Sequence, residues 1–202
     1  MDARIAVLVS GSGTNLQALL DDPFTGPRIA LVVSDRPGVR ALERAAERGV
    51  ESLVLSTAEH PDRESFSAAV RDELLRRDVD VVVSAGYMKV LGVAFFDAFA
   101  GRFLNVHPAL LPSFPGAHAV ADALEWGAKV TGVTVHLVDE QVDHGPVVFQ
   151  EAVAIHDADD WDSLEARIHE VEHRLLPSAV RALVEGRLKV EGRRVHVLGG
   201  VA

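Results

Sequence analysis

The sequence contains no cysteine, which excludes disulfides, zinc–thiolate sites and thiol nucleophiles. It also lacks any Lys/Arg-rich run, and its formal net charge is −10, so the basic surface that a duplex binder needs is missing. No internal repeat, low-complexity stretch or interdomain linker interrupts it. Met1-Asp2-Ala3-Arg4 leads straight into a strand-like segment too short for a signal peptide or a membrane span. A cytoplasmic protein with neither membrane nor nucleic acid as partner is the expectation. No Gly-Lys-Ser/Thr ending closes a glycine-rich loop, so a Walker A nucleotide site is absent. No Gly-x-Ser-x-Gly elbow appears, which disfavours a serine hydrolase.

What is present suits one α/β domain, since 202 residues can bury a substantial core. Residues 5–9 are a continuous apolar run of β-formers, the pattern of a strand covered on both faces, and residues 29–33, 53–55 and 79–83 read as three further strands. Helical patterns separate them at residues 16–20, 39–48 and from His60-Pro61-Asp62 to about 77. Such alternation predicts a parallel, doubly wound sheet with right-handed crossovers. Residues 103–106 supply another strand, 119–126 a helix closed by Gly127, and 130–138 and 147–153 two strands close enough to be antiparallel neighbours. A helix starts at Asp159-Asp160-Trp161-Asp162-Ser163, with Pro177 expected to kink it or to begin the next segment. A short hairpin turns around Gly192.

Two stretches carry chemistry. Ser10-Gly11-Ser12-Gly13-Thr14-Asn15 lies between the first strand and the first helix, where free backbone N–H groups and the positive helix end favour an anion. A monophosphate fits better than a dinucleotide, because the third fingerprint glycine is replaced by Leu16. Asp35, about twenty residues on, keeps the dinucleotide reading open, and a tight turn without a ligand is the third alternative. The second stretch is Asn105-Val106-His107-Pro108. Pro108 stops a strand, and Asn105 and His107, two residues apart, point the same way. An amide donor and an imidazole so placed could hold and protonate an oxygen that becomes negative. The alternative is a turn in which His107 is satisfied by backbone. Topology delivers both stretches to one rim, where open α/β sheets bind ligands. Asp143, in the loop Asp143-His144-Gly145-Pro146, is a turn former unless a histidine lies near it. His169 and His173 would share a helix face, with no third metal ligand evident.

Asn105-Val106-His107-Pro108, followed by Leu110-Leu111-Pro112 and Pro115-Gly116, resembles the signature of the folate-dependent formyltransferases. The likeness runs from Ile5 to about Lys189 and is strongest to the branch that acts in purine synthesis. It implies a mixed, mostly parallel seven-stranded sheet with helices on both faces. It also implies a single domain over 1–202, with a phosphate-binding half (about 1–100) and a folate and catalytic half (about 101–202). The implied reaction moves the formyl group of 10-formyltetrahydrofolate to the amine of 5-phosphoribosylglycinamide without a metal. Asn105, His107 and Asp143 match the catalytic trio, with Asp143 favouring the imidazolium by opposite charge. Gly11, Ser12, Gly13, Thr14 and Asn15 match the substrate phosphate loop, and Glu172 the acid that binds the ribose hydroxyls. Arg63 and the run Met88-Lys89-Val90-Leu91, together with Asn105, match folate contacts. The resemblance leaves room for a homodimer. Two positions depart from it. His144 stands where relatives often carry a small or acidic residue. Lys89 stands where arginine is common, exchanging a two-pronged carboxylate grip for a point charge.

The rivals are a methionyl-tRNA formyltransferase, which would add a tRNA-binding domain, and a formyltetrahydrofolate hydrolase, which would add an N-terminal regulatory one. A non-enzymatic nucleotide-binding module, resting on Gly11–Asn15 and Asp35, is the alternative from another class.

Overall fold

Ile5–Val9 is apolar at every position and buried at every position, as a strand covered on both faces must be. The computed structural model describes residues 3–199. Met1, Asp2 and residues 200–202, which the expected domain span includes, lie outside them. By compactness the chain divides into two units, residues 1–104 and 105–202.

The first unit is the parallel α/β half. β1 (Ile5–Val9) lies between β2 (Ile29–Ser34) and β4 (Val81–Ser84), and β3 (Ser52–Val54) adds to β2, all in parallel. The Val82 amide donates to the Arg102 carbonyl at 2.9 Å, which sets the start of β5 (Phe103–His107) beside β4. The crossovers carry α1 (Thr14–Asp21), α2 (Arg40–Glu47), α3 (Arg63–Arg76) and α4 (Val93–Phe99). α3 starts where Asp62 accepts the Ser65 amide at 2.7 Å while the Ser65 hydroxyl returns to the Asp62 backbone. This reciprocal cap satisfies two otherwise orphaned donors. α4 is not expected from the sequence. It exists to bury Phe95 and Phe99, whose rings stack at 5.0 Å, with Phe95 also edge-on to Phe103 at 5.2 Å.

The second unit is mixed. β6 (Val130–Leu137) and β7 (Val147–Ala154) are antiparallel, as their closeness in sequence predicts. α5 (Ala119–Trp126) ends at Gly127 in the left-handed conformation. α6 (Trp161–Val184) begins at an Asp160/Ser163 reciprocal cap and buries Leu164, Ile168, Leu176 and Val180. Pro177 lies inside this helix rather than ending it. A proline there removes one helical hydrogen bond, and the buried residues around it outweigh the loss. β8 (Leu188–Glu191) and β9 (Arg194–Val197) form the terminal hairpin, and β9 pairs in parallel with β7 through Val147 and Arg194. The expected seven strands thus become nine among the described residues, because this hairpin joins the edge. The fold remains α/β with mixed pairing.

Candidate active site

In the first unit the glycine-rich loop is built by its neighbours. Gly13 caps α1 at φ 71°, and a Cβ there would lie 2.7 Å from the Ala41 Cβ. Only glycine suits both the backbone and the close approach of α2. The Ala41 amide donates to the Gly11 carbonyl at 3.2 Å. Arg44, also on α2, donates through Nε to the Ser12 carbonyl at 2.9 Å and through its terminal nitrogen to Gln17 at 3.0 Å. These contacts turn the loop carbonyls toward α2. The first helical bond runs from the Gln17 amide to Gly13, and no side chain caps the helix start. A helix start without a side-chain cap is where the positive end of the helix favours an anion.

The run Met88-Lys89-Val90-Leu91 is tied to the same loop, since the Met88 amide donates to Ser10 Oγ at 2.9 Å. Met88 and Val90 are exposed and Leu91 is buried, so the run presents alternate apolar side chains to solvent. Lys89 Nζ lies 3.6 Å from the buried Asp35 carboxylate. Arg63 opens α3 on the surface, within 3.5 Å of Glu64. Tyr87 is half-buried, and its desolvation together with the Asp35 charge pushes its phenol well above its ordinary value.

The second unit gathers Asn105, His107 and Asp143 into one cluster. β5 holds the first two on one side, with His107 buried. The loop between β6 and β7 brings Asp143, at φ 50°, to meet them. A non-glycine residue held there costs of order 1–3 kcal/mol, so the loop is constrained from elsewhere. His107 Nδ1 lies 3.4 Å from Asp143 Oδ2, and Asn105 Nδ2 lies 3.5 Å from Asp143 Oδ1. His107 Nε2 lies 2.8 Å from the Phe114 carbonyl. The ring thus lies between two acceptors, a carboxylate on the Nδ1 side and a carbonyl on the Nε2 side. The Gly116 amide donates to Asp143 Oδ2 at 2.7 Å. Burial pushes the Asp143 carboxyl upward. The hydrogen bonds from His136 and Gly116, with the nearby His107 and His136 rings, outweigh it and hold the group below its ordinary value. The histidine that would make this loop acid chemical is present twice.

His136 is the member that the sequence reading misses. It is buried on β6, 3.2 Å from Asn105 Nδ2 through Nε2, with Nδ1 2.9 Å from the Leu137 carbonyl. Nε2 thus faces both the Asn105 amide and, at 3.8 Å, Asp143 Oδ1, so the ring packs against the amide and the acid together. The available signal was a lone histidine on a strand with no other titratable residue. Thr134, two residues earlier, anchors the segment after His107. Its hydroxyl donates to the Ala109 carbonyl at 2.7 Å and accepts from the Leu111 amide at 3.1 Å and Gln150 at 2.9 Å.

Glu172 is buried on α6, 3.8 Å from His169 Nε2. His169-Glu170-Val171-Glu172-His173 spells a His-Glu-x-x-His string, against the expectation that none of the histidines form one. The two imidazoles stack at 5.6 Å, and no group of three metal-ligating side chains occurs among the described residues. Nor is any helix among them long and apolar enough to cross a membrane.

The formyl transferase family matches residues 3–180. A phosphoribosylglycinamide formyltransferase of Mycobacterium tuberculosis is 46% identical over 96% of this chain and 94% of its own length. A trifunctional purine biosynthetic protein adenosine-3 of Drosophila melanogaster is 46% identical over 91% of this chain, which is 14% of that protein. The crystal structure of glycinamide ribonucleotide transformylase 1 from Symbiobacterium toebii superposes with a TM-score of 0.94 at 48% identity, covering 97% of this chain and 94% of that one. By sequence and by architecture, the chain belongs to the formyl transferase family.

Proposed function

We propose that this enzyme transfers the formyl group of 10-formyltetrahydrofolate to the amine of 5-phosphoribosylglycinamide in purine synthesis. The observation that carries the reading is the cluster of Asn105 and His107 on the Asp143 carboxylate. The substrate class comes from the names of relatives that match nearly all of the chain. The family match reaches into both units, which supports their working as one formyltransferase domain; the location proposed for it is the cytoplasm.

The substrate amine, as the free base, attacks the formyl carbon, and the carbonyl electron pair moves onto oxygen. Asn105 Nδ2–H and protonated His107 hold that oxyanion, donors of a kind worth about 3 kcal/mol each. For His107 this means turning its Nε2–H from the Phe114 carbonyl toward the substrate, or sharing it, and for Asn105 giving up or sharing its contact with His136 or Asp143. Collapse of the intermediate breaks the bond to the folate nitrogen, which takes up one proton while the attacking nitrogen releases one, with water as carrier. Asp143 keeps the imidazolium in place and orients Asn105. The amine is already a nucleophile and the formyl amide an activated acyl donor, so turnover requires neither ATP nor added metal.

Gly11, Ser12, Gly13, Thr14 and Asn15 hold the substrate phosphate, and Glu172 accepts from the ribose hydroxyls. Arg63 and Met88, Lys89, Val90 and Leu91 contact folate. Lys89 already faces Asp35, so its hold on the folate carboxylate tail competes with an internal partner. The test is a formyl-transfer assay with phosphoribosylglycinamide, glycine and methionyl-tRNA as alternative acceptors, in buffer with chelator. Product is expected only with the first. Formylated methionyl-tRNA, or formate release without an acceptor, would replace this reading.

A further inference from the structure

The loop that carries Asp143 is held at its far side by a residue outside the family-matched segment. Arg193 sits in the turn between β8 and β9, beyond residue 180, where the family match ends. Its guanidinium donates to the His144 carbonyl at 2.6 Å, and a second nitrogen lies 3.2 Å from His144 Nε2. The other ring nitrogen, Nδ1, lies 2.8 Å from Asp139 Oδ2. Asp139 Oδ1 in turn accepts the Gln141 amide at 2.9 Å, so the acid also closes the start of the loop. The register explains the reach. Arg194 pairs with Val147, which places the residue before β9 beside the loop that leads into β7.

What this grip constrains is the backbone next to the acid. Asp143 occupies the left-handed region, and His144 follows it directly. After His144 comes Gly145, where a Cβ would stand 1.7 Å from the Leu137 carbonyl, and then Pro146, whose carbonyl accepts the Leu137 amide at 2.9 Å. The strand side of the loop is therefore fixed by backbone contacts. Its outer side is fixed by the chain Asp139–His144–Arg193. We infer that Arg193 is a positioning residue for formyl transfer, acting through His144 to keep the Asp143 carboxylate against His107 and Asn105. The planar guanidinium, giving one donor to a carbonyl and another to a ring nitrogen, suits this two-point hold as an ammonium does not. The inference rests on the proposed catalytic role of Asp143.

The experiment compares Arg193→Ala, Arg193→Lys, Asp139→Asn and Asp143→Asn in steady-state formyl transfer, with thermal melting alongside. A small misplacement of a reacting group costs rate rather than binding, so Arg193→Ala should lose about tenfold in kcat. KM for both substrates should stay within about twofold, a split that a merely structural role would not produce. Arg193→Lys should regain part of the loss through the carbonyl bond alone. Asp139→Asn, which leaves the hairpin untouched, should lower kcat in the same sense and decides the matter if Arg193→Ala fails to fold. If Asp139→Asn and any folded Arg193 variant keep kcat within about twofold of the parent, the positioning role is overturned. Full activity in Asp143→Asn would instead remove the catalytic assignment beneath it.

Discussion

Replacing Thr134 by Val tests how the segment after His107 is held, because the swap keeps shape and deletes one hydroxyl. That hydroxyl serves Ala109, Leu111 and Gln150 at once, which fills its donor and acceptor capacity. Gln150 retains its bond to the Leu111 carbonyl at 2.9 Å, so it is not stranded. The Ala109 carbonyl and the Leu111 amide are left inside a buried segment. Each such group costs about 1–3 kcal/mol. The methyl that replaces the hydroxyl recovers about 0.8 kcal/mol at most. The net loss is about 3 kcal/mol, or a Tm lower by roughly 6–12 °C for a chain of this size. Urea denaturation should show the midpoint falling with an unchanged slope, and Thr134→Ser should restore it. A loss below about 1 kcal/mol would mean that the segment re-forms its bonds elsewhere, and the anchoring argument would fail.

Two other outcomes are set by the geometry. Because the folded Asp143 carboxyl sits below its ordinary value of about 3.9, its contribution to stability is complete above that pH. It is lost as pH falls through the lower folded value. The stability difference between wild type and Asp143→Asn should therefore be flat above about pH 5 and close on further acidification, as equilibrium unfolding would measure; a gap that widens in acid contradicts this sign. Gly13→Ala meets Ala41 and a left-handed backbone worth roughly 1–2 kcal/mol. It should raise KM for phosphoribosylglycinamide well above any change in KM for the folate, and equal effects on both would detach this loop from the phosphate.

Much of this was readable because the signals are local. The buried run Ile5–Val9, the glycine turn after it and the caps at Asp62 and Asp160 each state an element within a few residues. α4 was not readable, since seven residues holding three phenylalanines look like core in any conformation. Pro177 does not end the helix for the opposite reason: a strong local breaker was overruled by the apolar residues buried around it. In the site, Asn105 and His107 share a strand and could be paired on spacing alone. His136 and the Phe114 carbonyl reach them only through the tertiary fold, and no local pattern announces that. Arg193 is harder still. Its meaning depends on β9 joining β7, a pairing that a hairpin beyond a long helix does not advertise.

The account turns on His107 as the group that holds the forming oxyanion. Single-turnover formyl transfer by His107→Ala, with saturating 10-formyltetrahydrofolate and phosphoribosylglycinamide, measures that step without interference from product release. Removing such a group slows the step by about 10²–10⁴-fold while the melting transition stays cooperative. A folded variant that transfers the formyl group at the wild-type rate would contradict it.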